Sequence, residues 1–282
     1  MTTVCIVGAG ELGGAVAQAL AEHERAARVL LVDGAGSVAA GKALDLRQAC
    51  AIDGYHSRLE GTTDVTRVAG CGVCVLADRH GSPAAEWRDD EGLALLSRLA
   101  PLLGEAPVVF AGVTQAPLMQ TAARELGLRR ERLIGSAPEA LAAAVRGIVA
   151  MEARCSPREV MLTVLGTPPA GFVVPWSEAS IGGYALDRVL SQVQLTRLEA
   201  RAARLWPPGP FALGMAAAAV VAALLGASRR AHSVLTVLDG EFGVRGRVGA
   251  LPSLLASTGI VHSRVPTLNG RERVRLDTAL GV

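Results

Sequence analysis

A strand-like run, VCIV, gives way to glycines at positions 8, 10 and 13 and then to helical spacing, in the stretch VCIVGAGELGGAVAQAL. G-x-G-x-x-G between a strand and a helix suits the seating of a diphosphate. Gly8 permits a tight turn, Gly10 lets an anion approach the backbone, and Gly13 lets the helix pack closely on the strand. The first helical residues, Glu11 and Leu12, offer free N–H groups to that anion. Asp33 ends the next strand, RVLLVD, twenty residues after Gly13. A carboxylate there accepts hydrogen bonds from adenosine ribose hydroxyls and repels a 2′-phosphate, which points to NAD rather than NADP.

The elements that must hold these residues alternate. Residues 4–8, 28–33, 72–77, 107–113 and 132–135 read as strands, each nearly all apolar. Residues 10–22, 38–50, 92–103 and 118–126 carry helical spacing between them. Apolar strands alternating with helices predict a parallel sheet covered on both faces. The second half differs. Residues 138–153 read as a long helix, 160–165 and 172–175 as strands, and 186–205 as one amphipathic helix. An alanine-rich helix over 211–227 follows, then antiparallel strands over 234–238, 244–248 and 253–255. The expected division is a dinucleotide-binding unit over 1–137 and an α+β unit over 138–282.

Composition narrows the classes. The 282 residues are half apolar and 19% charged, with three Trp, two Tyr and four Phe, so the core must be aliphatic. Net charge is +2 with both signs interspersed, which argues against nucleic acid as a partner. The five cysteines are scattered, as in a reducing compartment. Cys71 and Cys74 form a C-x-x-C expected to lie in a buried strand; zinc would need a second ligand pair, and no metal site is expected. No apolar stretch reaches the roughly 20 residues of a membrane span. The chain opens on a strand with no cationic leader before it, so the cytoplasm is the expected location.

With these residues on the page, the chain resembles the lactate/malate dehydrogenase family over nearly its whole length. GKALDLRQA (41–49) resembles the family's third helix, and ERLIG (131–135) the strand closing its nucleotide domain. VLG (164–166) resembles the start of its histidine loop, and VLDGEFGVRG (237–246) with LPSLLASTGI (251–260) its C-terminal hairpin and the segment after it. The resemblance implies an α/β fold: a Rossmann doubly wound parallel sheet followed by an α+β domain of the lactate/malate dehydrogenase type. It also implies a homo-oligomer, dimer or tetramer, an NAD(H) cofactor and a small 2-oxo or 2-hydroxy acid substrate.

The family uses a histidine as proton donor, an aspartate that holds it, an arginine that clamps the substrate carboxylate and a second arginine that polarises the carbonyl. By resemblance, Arg88 in the loop ADRHGSPAAEWRDD falls on the polarising arginine; it also reads as a surface arginine beside Asp89 and Asp90. Ser82 falls where malate enzymes carry arginine. Arg79 replaces a glycine, either to pair with the diphosphate or to crowd the nicotinamide. Thr114 stands in the turn where the family has Ser-Asn-Pro. The aspartate falls on Leu141, the carboxylate arginine on Ala144 and the histidine on Pro168. His80 is the one histidine in a loop of the expected site, where it serves either as an acid or as a solvated side chain.

Three functions follow. The protein is an NAD(H)-binding pseudo-dehydrogenase with a sensing, scaffold or partner role. Alternatively it is an active NAD-dependent 2-hydroxy-acid oxidoreductase with a rewired site using His80 and Arg88. The third reading is a structural subunit that binds neither ligand; the retained glycines and Asp33 argue against it, because glycine weakens regular elements unless geometry requires it.

Overall fold

The computed structural model describes residues 2–81, 86–226 and 228–282. The first half alternates as expected: β1 (Thr3–Val7), α1 (Glu11–Glu22), β2 (Arg28–Val32), α2 (Gly36–Asp53), β3 (Arg58–Thr62), β4 (Val73–Leu76), α3 (Asp89–Leu103), β5 (Val108–Phe110), α4 (Ala116–Glu125) and β6 (Leu133–Gly135). The strands run parallel in the order β3-β2-β1-β4-β5-β6. Alternate residues of β1 serve two cores. Val4 and Ile6 pack with α1 and α2, whereas Cys5 and Val7 pack with α3 and α4. That double burial is why these strands carry almost no polar residue. Cys74 lies in β4, in register with Cys5 and fully buried, as the strand reading of C-x-x-C expects, whereas Cys71 is buried in the turn ahead of the strand.

Strand β3 was not anticipated from its sequence, RLEGT, which lacks an apolar run. It sits at the sheet edge, paired only with β2, where one half-buried side suffices. Gly61 is required there, because a Cβ would collide with the backbone of Ala39. Glu60 is held well below the usual carboxylate range, at about 2, by hydrogen bonds from Arg67 and Arg28.

The second half contributes α5 (Ala137–Ala153), β7 (Val160–Met161), β8 (Leu165–Thr167), β9 (Gly171–Val173), β10 (Ser180–Ile181), β11 (Tyr184–Ala185), α6 (Leu186–Val189), α7 (Gln192–Ala202), α8 (Pro210–Leu224), β12 (His232–Asp239), β13 (Arg245–Ala256), β14 (Gly259–Ser263) and α9 (Gly270–Leu280). Strand β12 joins β6 antiparallel and extends the same sheet to eleven strands among the described residues. Three expectations change in detail. The strand expected over 160–165 divides into β7 and β8, which belong to different sheets. The helix anticipated over 186–205 is split, because Ser191 and Gln194 form a reciprocal capping box that starts α7 afresh. The two strands expected at 244–248 and 253–255 form the single β13, which runs through Pro252.

Helix α8 lies inside the protein, as its alanines foretold. Gly214 passes so close to α1 that a Cβ would meet the Ala15 backbone. No described helix is long and apolar enough to cross a membrane.

Candidate functional site

In a doubly wound sheet ligands bind beyond the carboxyl ends of the strands, where the strand order reverses. Here that crevice lies between β1 and β4. Gly8 takes φ +112°, and a Cβ on it would strike the Asp78 carbonyl. A Cβ on Gly13 would strike the Gly8 carbonyl, so close packing of α1 on β1 requires this glycine. Both glycines therefore do what the motif predicts.

Gly10 also makes room for an anion, and that anion belongs to the chain. A Cβ on Gly10 would overlap the carboxyl group of Asp78. Asp78 follows β4, and its side chain crosses the crevice to the start of α1. Its Oδ1 accepts from the Gly13 N–H at 2.8 Å and its Oδ2 from the Leu12 N–H at 3.2 Å. Its carbonyl accepts from the Gly10 N–H at 2.9 Å. The carboxylate is buried and held by the donors and helix dipole that a diphosphate would use. A dinucleotide diphosphate does not fit this cradle while Asp78 remains in it. Glu11, the other residue expected at the helix start, is exposed.

Asp33 is likewise turned inward. Its Oδ2 accepts from the Ala9 N–H at 2.7 Å and the His80 N–H at 3.3 Å, and its Oδ1 from the Ala35 N–H at 2.9 Å. Lys42 donates from Nζ to the Gly10 carbonyl at 2.5 Å and ties α2 to the glycine turn.

A second nest of donors lies after β5. Thr114 is there as expected, but it faces Glu86. That buried carboxylate accepts from the Val113 N–H at 2.9 Å, the Thr114 N–H at 2.8 Å and the Thr114 hydroxyl at 2.6 Å. Gly112 makes room for it, since a Cβ there would overlap the Glu86 carboxyl. Asp78 and Glu86 form an isolated antiparallel bridge, which sets the two residues opposite each other, Asp78 reaching the start of α1 and Glu86 the turn after β5.

The loop residues expected to act on substrate are occupied elsewhere. Arg79 lies 4.9 Å over the Trp87 ring and pairs with Glu91 at 2.8 Å, so it faces α3. Arg88 caps α3, is exposed, and has Asp89 as its ion-pair partner at 3.7 Å. The His80 side chain is exposed, and only its backbone reaches Asp33. Ser82 lies outside the described residues. No cluster of metal-ligating side chains occurs among the described residues.

No family model matches the chain. The malate dehydrogenase of Thioalkalivibrio sulfidiphilus is 26% identical over 296 residues, covering 99% of this chain and 96% of that protein. The malate dehydrogenase of Myxococcus xanthus is 28% identical over 290 residues, covering 96% and 92%. Among solved structures, the malate dehydrogenase of Aeropyrum pernix superposes with a TM-score of 0.89 at 21% identity, covering 99% of this chain and 95% of that one. A Cryptosporidium parvum lactate dehydrogenase, solved with lactic acid and nicotinamide adenine dinucleotide, gives 0.88 at 21% with the same coverage. Over nearly its whole length this chain is similar to malate dehydrogenases in sequence and to malate and lactate dehydrogenases in fold.

The three positions expected from the resemblance to replace the aspartate, the carboxylate arginine and the histidine have clear surroundings. Leu141 on α5 is fully buried in an apolar cluster with Val145, Val149 and Val164. Ala144, one helical turn on, is half-buried and carries no polar atom. Pro168 sits between β8 and β9. Of the five histidines, His23, His56, His80 and His262 are exposed or nearly so. The fifth, His232, is buried with its Nδ1 3.8 Å from Oε1 of Glu139.

Proposed function

We propose that this protein is an NAD(H)-binding lactate/malate dehydrogenase-like protein that no longer transfers a proton to a 2-oxo acid, and that it serves as a sensor, scaffold or modulator of a partner. The observation that carries the reading is Leu141. Where the family's resemblance places the aspartate that orients the histidine, this chain has a side chain sealed in an apolar cluster. Pro168 has no titratable atom, so no acid stands opposite it. General acid catalysis is worth roughly 10²–10⁴ in rate, and none of that is supplied by proline against leucine. Ala144 leaves a substrate carboxylate without a bidentate partner.

NAD enters through the family and through the preserved turn geometry of Gly8, Gly10 and Gly13. Bound there once the Asp78 side chain has left the cradle, it would supply hydride chemistry. The purified protein is expected to quench or shift NADH fluorescence on binding. On the same sample, a panel of 2-oxo acids including pyruvate and oxaloacetate is expected to leave NADH unoxidised beyond the background rate. Stoichiometric turnover at neutral pH, lost in His80→Ala or Arg88→Ala, would establish the rewired oxidoreductase instead.

A further inference from the structure

We infer that the Asp78 carboxylate is the chain's own occupant of the diphosphate seat, with Glu86 as a second internal anion beside it, so that a dinucleotide binds only by displacing Asp78. The inference rests on the dinucleotide reading above. Several observations converge on it. The two N–H groups at the start of α1 point at one place, and Asp78 takes both. Gly10, the residue whose missing side chain lets an anion approach, clears space for that carboxylate. Among the described residues neither Asp78 nor Glu86 pairs with a cation, and both are buried. Their charges are held by backbone donors, the Thr114 hydroxyl and the dipole of α1. A phosphate would draw on the same helix-end donors and dipole.

An N–H group cannot serve both anions at full strength, and the two charges repel at this distance. The wild-type site is therefore a weak dinucleotide binder whose affinity is set by residue 78. Neutralising that side chain removes the charge repulsion and truncating it empties the seat, while Gly8, Gly10, Gly13 and Asp33 stay in sequence.

The test compares wild type, Asp78→Asn and Asp78→Ala for NADH and, separately, for inorganic pyrophosphate. Amide hydrogen exchange at residues 12 and 13 is followed in each. Asp78→Asn keeps the volume and an acceptor oxygen, so it reports on charge should Asp78→Ala fold poorly. Both variants are expected to bind NADH at least about tenfold more tightly than wild type. In unliganded Asp78→Ala the two amides are expected to exchange faster, and NADH is expected to restore their protection. Equal NADH affinity in wild type and variants, or unchanged exchange at residues 12 and 13, overturns the inference while leaving NAD binding intact. If NADH binds none of the three but pyrophosphate binds the variants and not wild type, the internal anion stands and the NAD reading fails. If neither ligand binds any of them, both are overturned.

Discussion

Glu139→Ala is expected to lower stability by about 3–5 kcal/mol, the range for breaking a buried ion pair from one side. Glu139 opens α5 and is almost fully buried. Its Oε1 accepts from Arg146 at 3.0 Å and from Arg230 at 2.7 Å, and its Oε2 from the Ser233 N–H at 2.9 Å. Burial pushes its carboxyl up, but the facing Arg230 leads the opposing charges and the net position is below the ordinary value. Removing it leaves two guanidiniums and a backbone donor facing one another without an anion. For a domain of this size that corresponds to a fall in Tm on the order of 10 °C. Glu139→Gln keeps an acceptor for Ser233 and is expected to cost less. A Tm for Glu139→Ala within a degree of wild type would show that the network contributes little.

The same cluster sets a pH dependence. Burial, with Arg230 and Arg146 nearby, pushes His232 down to about 4, against the pull of Glu139. The folded protein keeps this ring neutral, while the unfolded chain protonates it near its ordinary value of 6.5. Between pH 6.5 and 4 the unfolded state therefore binds more protons, and stability rises with pH. Acidifying through that window is expected to remove up to about 3 kcal/mol. Below it, protonation of Glu139 removes more. Denaturant unfolding across pH 4–7 checks the slope, and His232→Gln is expected to flatten it. A wild-type profile already flat in that window would contradict the account.

Much of the fold was legible because its signals are local. The double burial of VCIV and RVLLV, the helical spacing after Gly10 and the alanines of α8 all lie within a few residues of one another. The glycine turn was legible for the same reason, since Gly8 and Gly13 meet constraints from the adjacent strand and helix. Strand β3 was hidden because an edge strand needs little apolar sequence. The Glu139 cluster was hidden because Arg230 and Ser233 lie more than ninety residues along the chain, and only the β6–β12 pairing brings them to α5.

The occupant of the crevice was missed for a different reason. Asp78 lies in the loop ADRHGSPAAEWRDD, where its neighbour Arg79 is the charge that the resemblance sets against the diphosphate or the nicotinamide. A signal was present. Asp78 follows the strand that pairs with β1, so an acidic side chain there projects toward the glycine turn instead of solvent. Glu86 offered no such clue, because its partners Val113 and Thr114 belong to another loop. The positions of Leu141, Ala144 and Pro168 were readable from the resemblance alone, but only the fold shows that Leu141 is sealed from the crevice.

The most direct measurement is a crystal structure of the wild-type protein saturated with NADH. The expected result has the diphosphate on the N–H groups of Leu12 and Gly13, the Asp78 side chain turned away, and only aliphatic or proline atoms facing the nicotinamide C4. An imidazole within hydrogen-bonding reach of a substrate at that carbon would contradict the loss of proton transfer.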